Sequence, residues 1–255
     1  MVKKLLKILQ FAFLFPKSFV NINLWARDEL RKNRLTVLSD SAGSDKGTKK
    51  HLYTRIYDDL FDKEREKIKC ILEIGLLCHS VQNIIGGNKF SSVPSLDMWS
   101  KYFPAANVYG FDDKDFTNAH GAWTKIYRGD QSNREDLAKI SSSDGGFDVV
   151  IDDALHASYH QQVTFSFLFS ELKPGGFYII EDLHFQPSWV EELHPIGKTI
   201  DYLEKLRSTG VWDSPVATED EKKLIENTVE SIEFYDSMSQ GLSGVRALAV
   251  IRKKL

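Results

Sequence analysis

The sequence predicts an α/β protein: a mostly parallel sheet with crossover helices, a C-terminal antiparallel hairpin and an N-terminal helical extension. Two observations predict it. Short apolar runs rich in β-branched residues recur at Cys70 to Gly75, Asn107 to Phe111, Thr124 to Tyr127, Phe147 to Ile151 and Phe177 to Ile180, separated by segments of helix length. Each run also ends in polar residues, and in an open α/β sheet the carboxyl ends of the strands form the edge where ligands bind.

Taken in order, the chain opens with Lys3, Lys4 and Lys7 around an apolar run, Leu5 to Phe15, that stops at Pro16. A bilayer span takes roughly 20 apolar residues, so this run is too short to cross one. Leu5, Leu6, Leu9 and Phe13 recur at helical spacing. That helix can pack on the domain, on a second copy of the chain in a homo-oligomer, or peripherally on a membrane through residues 1 to 16. Residues 18 to 65 read as helical, interrupted at Ser39 to Thr48, where Gly43 and Gly47 lie among serines and aspartates. His51, Tyr53 and Tyr57 follow, placed by spacing on one helix. They can face a ligand or decorate a partly buried surface, and residue type alone favours the surface.

The extension is drawn as residues 1 to 65 and the sheet domain as 66 to 255. Cys70 to Gly75 is the first buried strand, with Glu73 near its end and Gly75 permitting the turn beyond. Pro94 to Phe103 and residues 133 to 140 read as helices. Phe147 to His156 (FDVVIDDALH) and Lys173 to His184 (KPGGFYIIEDLH) each carry a strand into acids and a histidine. Residues 157 to 172 make a helix, and 185 to 228 a charged helical lid holding Phe185, Trp189 and Trp212, which can stack on a sugar face or pack the lid. Ser231 to Tyr235 and Ala247 to Arg252 form the closing hairpin.

Composition narrows the partners. A 255-residue chain with 42% hydrophobic and 27% charged residues can bury a full core, and its net charge of -3 argues against nucleic acid as an obligate partner. Cys70 and Cys78 form neither a Cys-x-x-Cys pair nor a zinc set, which fits a reducing, cytoplasmic setting.

The rim residues then suggest chemistry. Asp112, directly after the second strand, is placed to grip a ribose diol, because a carboxylate accepts two hydrogen bonds. The first turn lacks the glycine pattern that cradles a pyrophosphate, so a nucleoside without phosphates fits better than a dinucleotide. Glu73, Asp112 and Asp130-Gln131 in that order match the acceptors wanted by the ammonium, ribose and adenine of S-adenosylmethionine. Asp153, Glu181 and Asp182 offer hard oxygen ligands of the kind Mg2+ takes, or equally serve as solvated and helix-capping rim acids. His156, three residues past Asp153, can exchange a proton near neutral pH or be a structural histidine.

The ordered string SDKG (44 to 47) with His51, Tyr53 and Tyr57, then ILEIG (71 to 75), SLDMWSKYFP (95 to 104), YGFD (109 to 112), GDQ (129 to 131), IDDALH (151 to 156) and LKPGGFYIIEDLH (172 to 184) resembles the magnesium-dependent sugar O-methyltransferases of macrolide and tetracenomycin biosynthesis. The resemblance covers roughly residues 40 to 185. It implies a Rossmann-like class I methyltransferase fold, S-adenosylmethionine as methyl donor, Mg2+, and a sugar-containing acceptor in a glycan or glycosylated metabolite. It further implies Asp153, Glu181 and Asp182 as metal ligands, His156 as general base with Asp153 beside it at the reacting centre, and cofactor-contacting positions at Glu73, Gly75, Ser95, Asp112, Asp130, Gln131 and Asp152. Two departures stand out. Leu76, Leu77 and Cys78 replace a glycine-rich turn, so bulk there is expected to crowd the methionine part of the cofactor, and Ala154-Leu155 replaces Gly-Ser. The altered turn keeps open a non-catalytic protein on the same fold, and a non-sugar acceptor is the other alternative.

Overall fold

The computed structural model describes residues 33–77, 84–85, 89–142, 145–238 and 244–255; the amphipathic start, Cys78 and the Gly86-Gly87 pair lie outside them. Two helices come first, α1 (Arg34–Ala42) and α2 (Thr54–Phe61). Strand β1 (Cys70–Ile74) follows, then a two-stranded ribbon of β2 (Ile84–Ile85) and β3 (Lys89–Phe90), and helix α3 (Pro94–Tyr102). The chain continues through β4 (Asn107–Asp112), β5 (Lys125–Arg128), the short α4 (Arg134–Leu137), β6 (Phe147–Asp152), α5 (Ser158–Leu168) and β7 (Leu172–Ile180). Helices α6 (Ser188–Leu193), α7 (Thr199–Thr209) and α8 (Glu219–Thr228) then lead into the hairpin β8 (Val229–Asp236) and β9 (Arg246–Lys253).

Seven strands form one sheet in the order β5-β4-β1-β6-β7-β9-β8. The pairs among β5, β4, β1, β6 and β7 are parallel, while β9 runs antiparallel to both β7 and β8. The chain builds outward from β1 to β5 and then returns to place β6 on the other side of β1. Strand order therefore reverses between β1 and β6, and that crevice is where open α/β sheets bind ligands.

Strand alternation decides which side chains reach the crevice from which side. Cys70, Leu72 and Ile74 of β1, Val150 of β6 and Tyr178 and Ile180 of β7 share one core with Phe165 and Trp212. Ile71, Val149, Ile151, Phe177 and Ile179 belong to the core on the opposite face, with Tyr57 and Trp99 from α2 and α3. Glu73, Asp153 and Glu181 continue the phase of this second set. All three thus lean toward the layer made by α1, α2 and α3, whereas Asp152 leans the other way, toward α5.

Several expectations are corrected. The polar interruption starts at Gly43 rather than Ser39: α1 runs through Ala42, and Gly43 ends it in the left-handed region (φ 87°). His51 and Tyr53 precede α2, and only Tyr57 lies on it. The Lys173 to Gly176 stretch is an irregular start to β7 rather than a turn before it, since the register with β6 shifts between Phe147 and Val149. The helix read over residues 133 to 140 is four residues long. The lid is three helices, and Trp212 is no part of its exposed surface: its ring is fully buried against Phe165 and Tyr202, and Nε1 donates to Ser166 Oγ at 3.1 Å. Among the described residues no helix is long and apolar enough to cross a membrane.

Candidate active site at the sheet switch point

The loop between α1 and α2 reaches over the strand ends. It is tightly pinned: Thr48 donates from its backbone N and Oγ1 to the two carboxylate oxygens of Asp40, Leu52 N donates to Gly47 O, and Thr54 N donates to Lys46 O. Gly47 is needed there because a Cβ would stand 2.4 Å from Asp40 Oδ1. Pinned this way, the loop sends Lys46 into the sheet edge with no exposed side-chain surface. Its Nζ donates to Asp153 Oδ2, donates to Glu181 Oε1 at 2.9 Å, and lies 3.1 Å from Glu73 Oε1. Three carboxylates from three adjacent strand ends thus meet one ammonium, which has three N–H groups to offer. Burial disfavours that ammonium, but Asp153, Glu181 and Glu73 together outweigh burial and hold its pKa above the ordinary lysine value.

The same segment supplies three more contacts. Tyr57 OH donates to Glu181 Oε1, Tyr53 OH donates to Asp182 Oδ1, and His51 Nδ1 lies 3.6 Å from that same oxygen. His51 also stacks on Tyr53, ring centres 5.0 Å apart. Of the two readings open for these residues, the structure places all three against the acid cluster. Burial lowers the pKa of His51, which favours its neutral form.

Beyond Glu181 the chain turns sharply. Asp182 (φ 53°) and His156 (φ 62°) both occupy the left-handed region, where side chains other than Gly are uncommon. Such residues cost of order 1–3 kcal/mol each and persist where the surroundings over-determine them. Here the two strained residues face each other, His156 Nε2 lying 3.7 Å from Asp182 Oδ2. Burial opposes ionisation of Asp182, but His51, His156, the Tyr53 hydroxyl and His184 outweigh it and hold its carboxyl below the usual range.

Asp153, His156 and Asp182 each bring one potential ligand atom to within 4.8 Å of the others. The two carboxylates, partly open to solvent, suit a hard divalent ion that keeps several waters, and the imidazole stands beside them. Glu181 stands outside that trio. The hydrogen bonds it receives from Lys46 and Tyr57 both fall on Oε1.

On the other side of the switch point lie the residues assigned to the cofactor. Gly75 adopts φ 86° so that the first turn can lie against the Asp153-Ala154 backbone. Leu76 is 2% exposed and packs over Gly110, in the same core toward which Glu73 leans. Its backbone N donates to Asp112 Oδ2 at 2.8 Å, and Lys114 N donates to Oδ1 at 2.8 Å, so each oxygen keeps a lone pair for a ligand. Burial pushes the Asp112 pKa up to about 6. Burial pushes the Glu73 pKa up, against Lys46 and the nearby Ser95 at the start of α3. Asp130 is exposed and caps its own turn through Ser132. Gln131 is buried and knits the far wall together: Nε2 donates to Asp152 Oδ1 at 3.2 Å and to Thr164 Oγ1 at 3.1 Å, and Oε1 accepts from Leu155 N.

Asp152 Oδ2 is buried without a hydrogen-bond partner among the described residues. Burial drives the Asp152 pKa up to about 7, against hydrogen bonds from Gln131 and the Ala154 backbone. A raised carboxyl pKa means the folded state holds this proton more tightly than the unfolded state. The group is therefore neutral in its effect below about pH 4 and increasingly destabilising as the pH rises through 7. Asp152→Asn is expected to raise the unfolding free energy of the ligand-free protein by about 3 to 4 kcal/mol at pH 8, with no gain at pH 4. Urea unfolding at the two pH values checks this; an equal gain at both would mean the charge is not the cause.

A seven-stranded sheet, parallel except at its C-terminal hairpin, with acids gathered at its switch point, is the class I methyltransferase fold. The homologues of this chain are sugar O-methyltransferases. It is 35% identical over 153 residues to mycinamicin VI 2''-O-methyltransferase of Micromonospora griseorubida, a match covering 60% of this chain and 37% of that protein. It is 32% identical over 205 residues to demethylmacrocin O-methyltransferase of Streptomyces fradiae, covering 80% of this chain and 49% of that protein. Among solved structures, the MycE methyltransferase of the mycinamycin biosynthetic pathway, in complex with Mg, SAH and mycinamycin VI, superposes with a TM-score of 0.67 at 26% identity, over 88% of this chain and 55% of that one. The chain thus spans about half the length, or less, of the curated relatives it matches. A scan against models of known protein families finds no match.

Proposed function

We propose that this protein transfers a methyl group from S-adenosylmethionine to a hydroxyl of a sugar in a glycan or glycosylated metabolite, assisted by Mg2+. The observation that carries this reading is that two carboxylates, Asp153 and Asp182, meet the His156 imidazole at the switch point, one atom of each within 4.8 Å of the others, so that an ion held by the acids has a base beside it. In this reading Asp153 and Asp182, joined by Glu181 through the oxygen that Lys46 and Tyr57 leave alone, hold the ion. A bound divalent ion would polarise the acceptor hydroxyl and orient it. His156 takes the acceptor's proton at Nε2, the nitrogen that faces the acids, and Asp182 beside it stabilises the imidazolium that results. Tyr53 and His51 keep Asp182 turned toward His156. Glu73, Gly75, Ser95, Asp112, Asp130, Gln131 and Asp152 line the donor side, with Asp112 offered to the ribose. Phe185, more than half exposed and 6.1 Å from the His156 ring in edge-on geometry, gives the acceptor an aromatic wall.

The compartment we assign is the cytoplasm, on the strength of Cys70, a buried free thiol. Contact of residues 1 to 16 with a membrane surface and assembly into a homo-oligomer belong to the same proposal. The experiment is transfer of labelled methyl from S-adenosylmethionine to a panel of glycosides with Mg2+ and with a chelator. Transfer that stops on chelation and returns with Mg2+ is expected, and Asp153→Asn should lose at least about 10²-fold of the rate. Undiminished turnover in chelator, or full activity of that variant, would sink the metal assignment.

A further inference from the structure

Lys46 plays no part in the reaction just described, yet it is the residue that ties the site together. Its ammonium, wholly removed from solvent, touches Glu73 at 3.1 Å on one side and Glu181 at 2.9 Å and Asp153 on the other. Glu73 ends β1 beside the left-handed Gly75, on the side proposed for the donor. Asp153 and Glu181 end β6 and β7, on the side proposed for the ion. In so dry a setting charges act on one another with little screening.

We propose that Lys46 is a positioning residue that couples the donor half of the site to the metal half, so that occupancy of one changes the affinity of the other. The proposal rests on the reading of the two halves given above. Without an ion, the ammonium is balanced by three carboxylates at once. An ion bound by Asp153 and Glu181 neutralises two of them, and the positive field they had offset is then turned on Glu73. Glu73 becomes a weaker acceptor for a cationic group of the donor. By linkage, the donor weakens the ion by the same factor. Fixing Lys46 in place takes the short loop pinned to Asp40, which is why a lysine can be held here rather than swing out to water.

Calorimetric titration of S-adenosylhomocysteine into the full chain, with saturating MgCl2 and with chelator, reads the coupling directly. In the wild type, Mg2+ is expected to weaken S-adenosylhomocysteine by about fivefold or more, within the usual range of coupling between sites. In Lys46→Met, which keeps the length and loses the charge, the change should fall below about twofold, whereas Lys46→Arg should retain it. Should Lys46→Met lose the native circular dichroism spectrum, Lys46→Gln serves as the uncharged variant. An S-adenosylhomocysteine affinity indifferent to Mg2+ in the wild type, or an undiminished effect in a folded uncharged variant, overturns the proposal. Absence of any S-adenosylhomocysteine binding, with or without Mg2+, is a different failure: it removes the methyl-transfer reading itself.

Discussion

Replacing His156 is expected to lower kcat by about 10²-fold or more while leaving S-adenosylhomocysteine affinity within about twofold, the signature of a lost general base. The choice of substitute matters because His156 sits at φ 62°. His156 already bears the left-handed cost, and alanine keeps it while losing the contacts with Asp182 and Phe185, so loss of activity in His156→Ala mixes chemistry with lost packing. Asparagine tolerates the left-handed region and has no basic nitrogen. His156→Asn should therefore fold as well as the wild type and be as inactive as His156→Ala. The expected pattern is two inactive variants of which only the alanine one is measurably less stable. A loss below threefold in the asparagine variant would make His156 a structural residue, with Asp182 merely its partner across the turn. Inactivity accompanied by loss of donor binding would instead locate its effect in the fold of the loop.

The strands and the acids at their ends were legible because each is a local signal. A β-branched run such as Cys70 to Ile74 specifies a buried strand by its own composition, and Gly75 after it marks the turn. The parity that separates Asp153 from Asp152 is also written in the chain: Val149 and Ile151 face one core and Val150 the other, so the acid in phase with each could have been read off. Lys46 was not legible. Its hydrogen-bond partners Asp153 and Glu181 lie 107 and 135 residues away, and a lysine among Ser, Asp and Gly reads as a solvated loop. For His51 and Tyr53 the residue types alone left two readings open, because what aims them at Asp182 is the turn that precedes α2, in a segment with no apolar periodicity. For Trp212, stacking on a sugar and packing were both open, and packing holds. An aromatic in a charged stretch suggests a ligand platform, but its ring fills the core beneath α5 and α7, while Phe185 and Trp189 stay exposed.

Gly75→Ala is expected to cost about 3 kcal/mol or more and to abolish donor and metal binding together. Gly75 has φ 86°, a conformation in which a side chain is strained whatever the space around it. Here there is also no space. A Cβ would stand 2.3 Å from the Asp153 carbonyl oxygen and 2.4 Å from Ala154 Cα, and both are backbone atoms that no rotamer change can move aside. The strand ends are held in register by Asp153 N donating to Ile74 O at 2.8 Å and Gly75 N donating to Phe111 O at 2.9 Å. Relief of the clash must therefore part the β1 turn from the β6 turn at the switch point. That movement carries Asp153 away from Lys46 and Glu181, and so disturbs the acid cluster and the donor crevice at once. Urea unfolding with parallel calorimetry of S-adenosylhomocysteine and Mg2+ tests it. An alanine variant within about 1 kcal/mol of the wild type that still binds both would mean that the close approach of the two turns is not what holds the site.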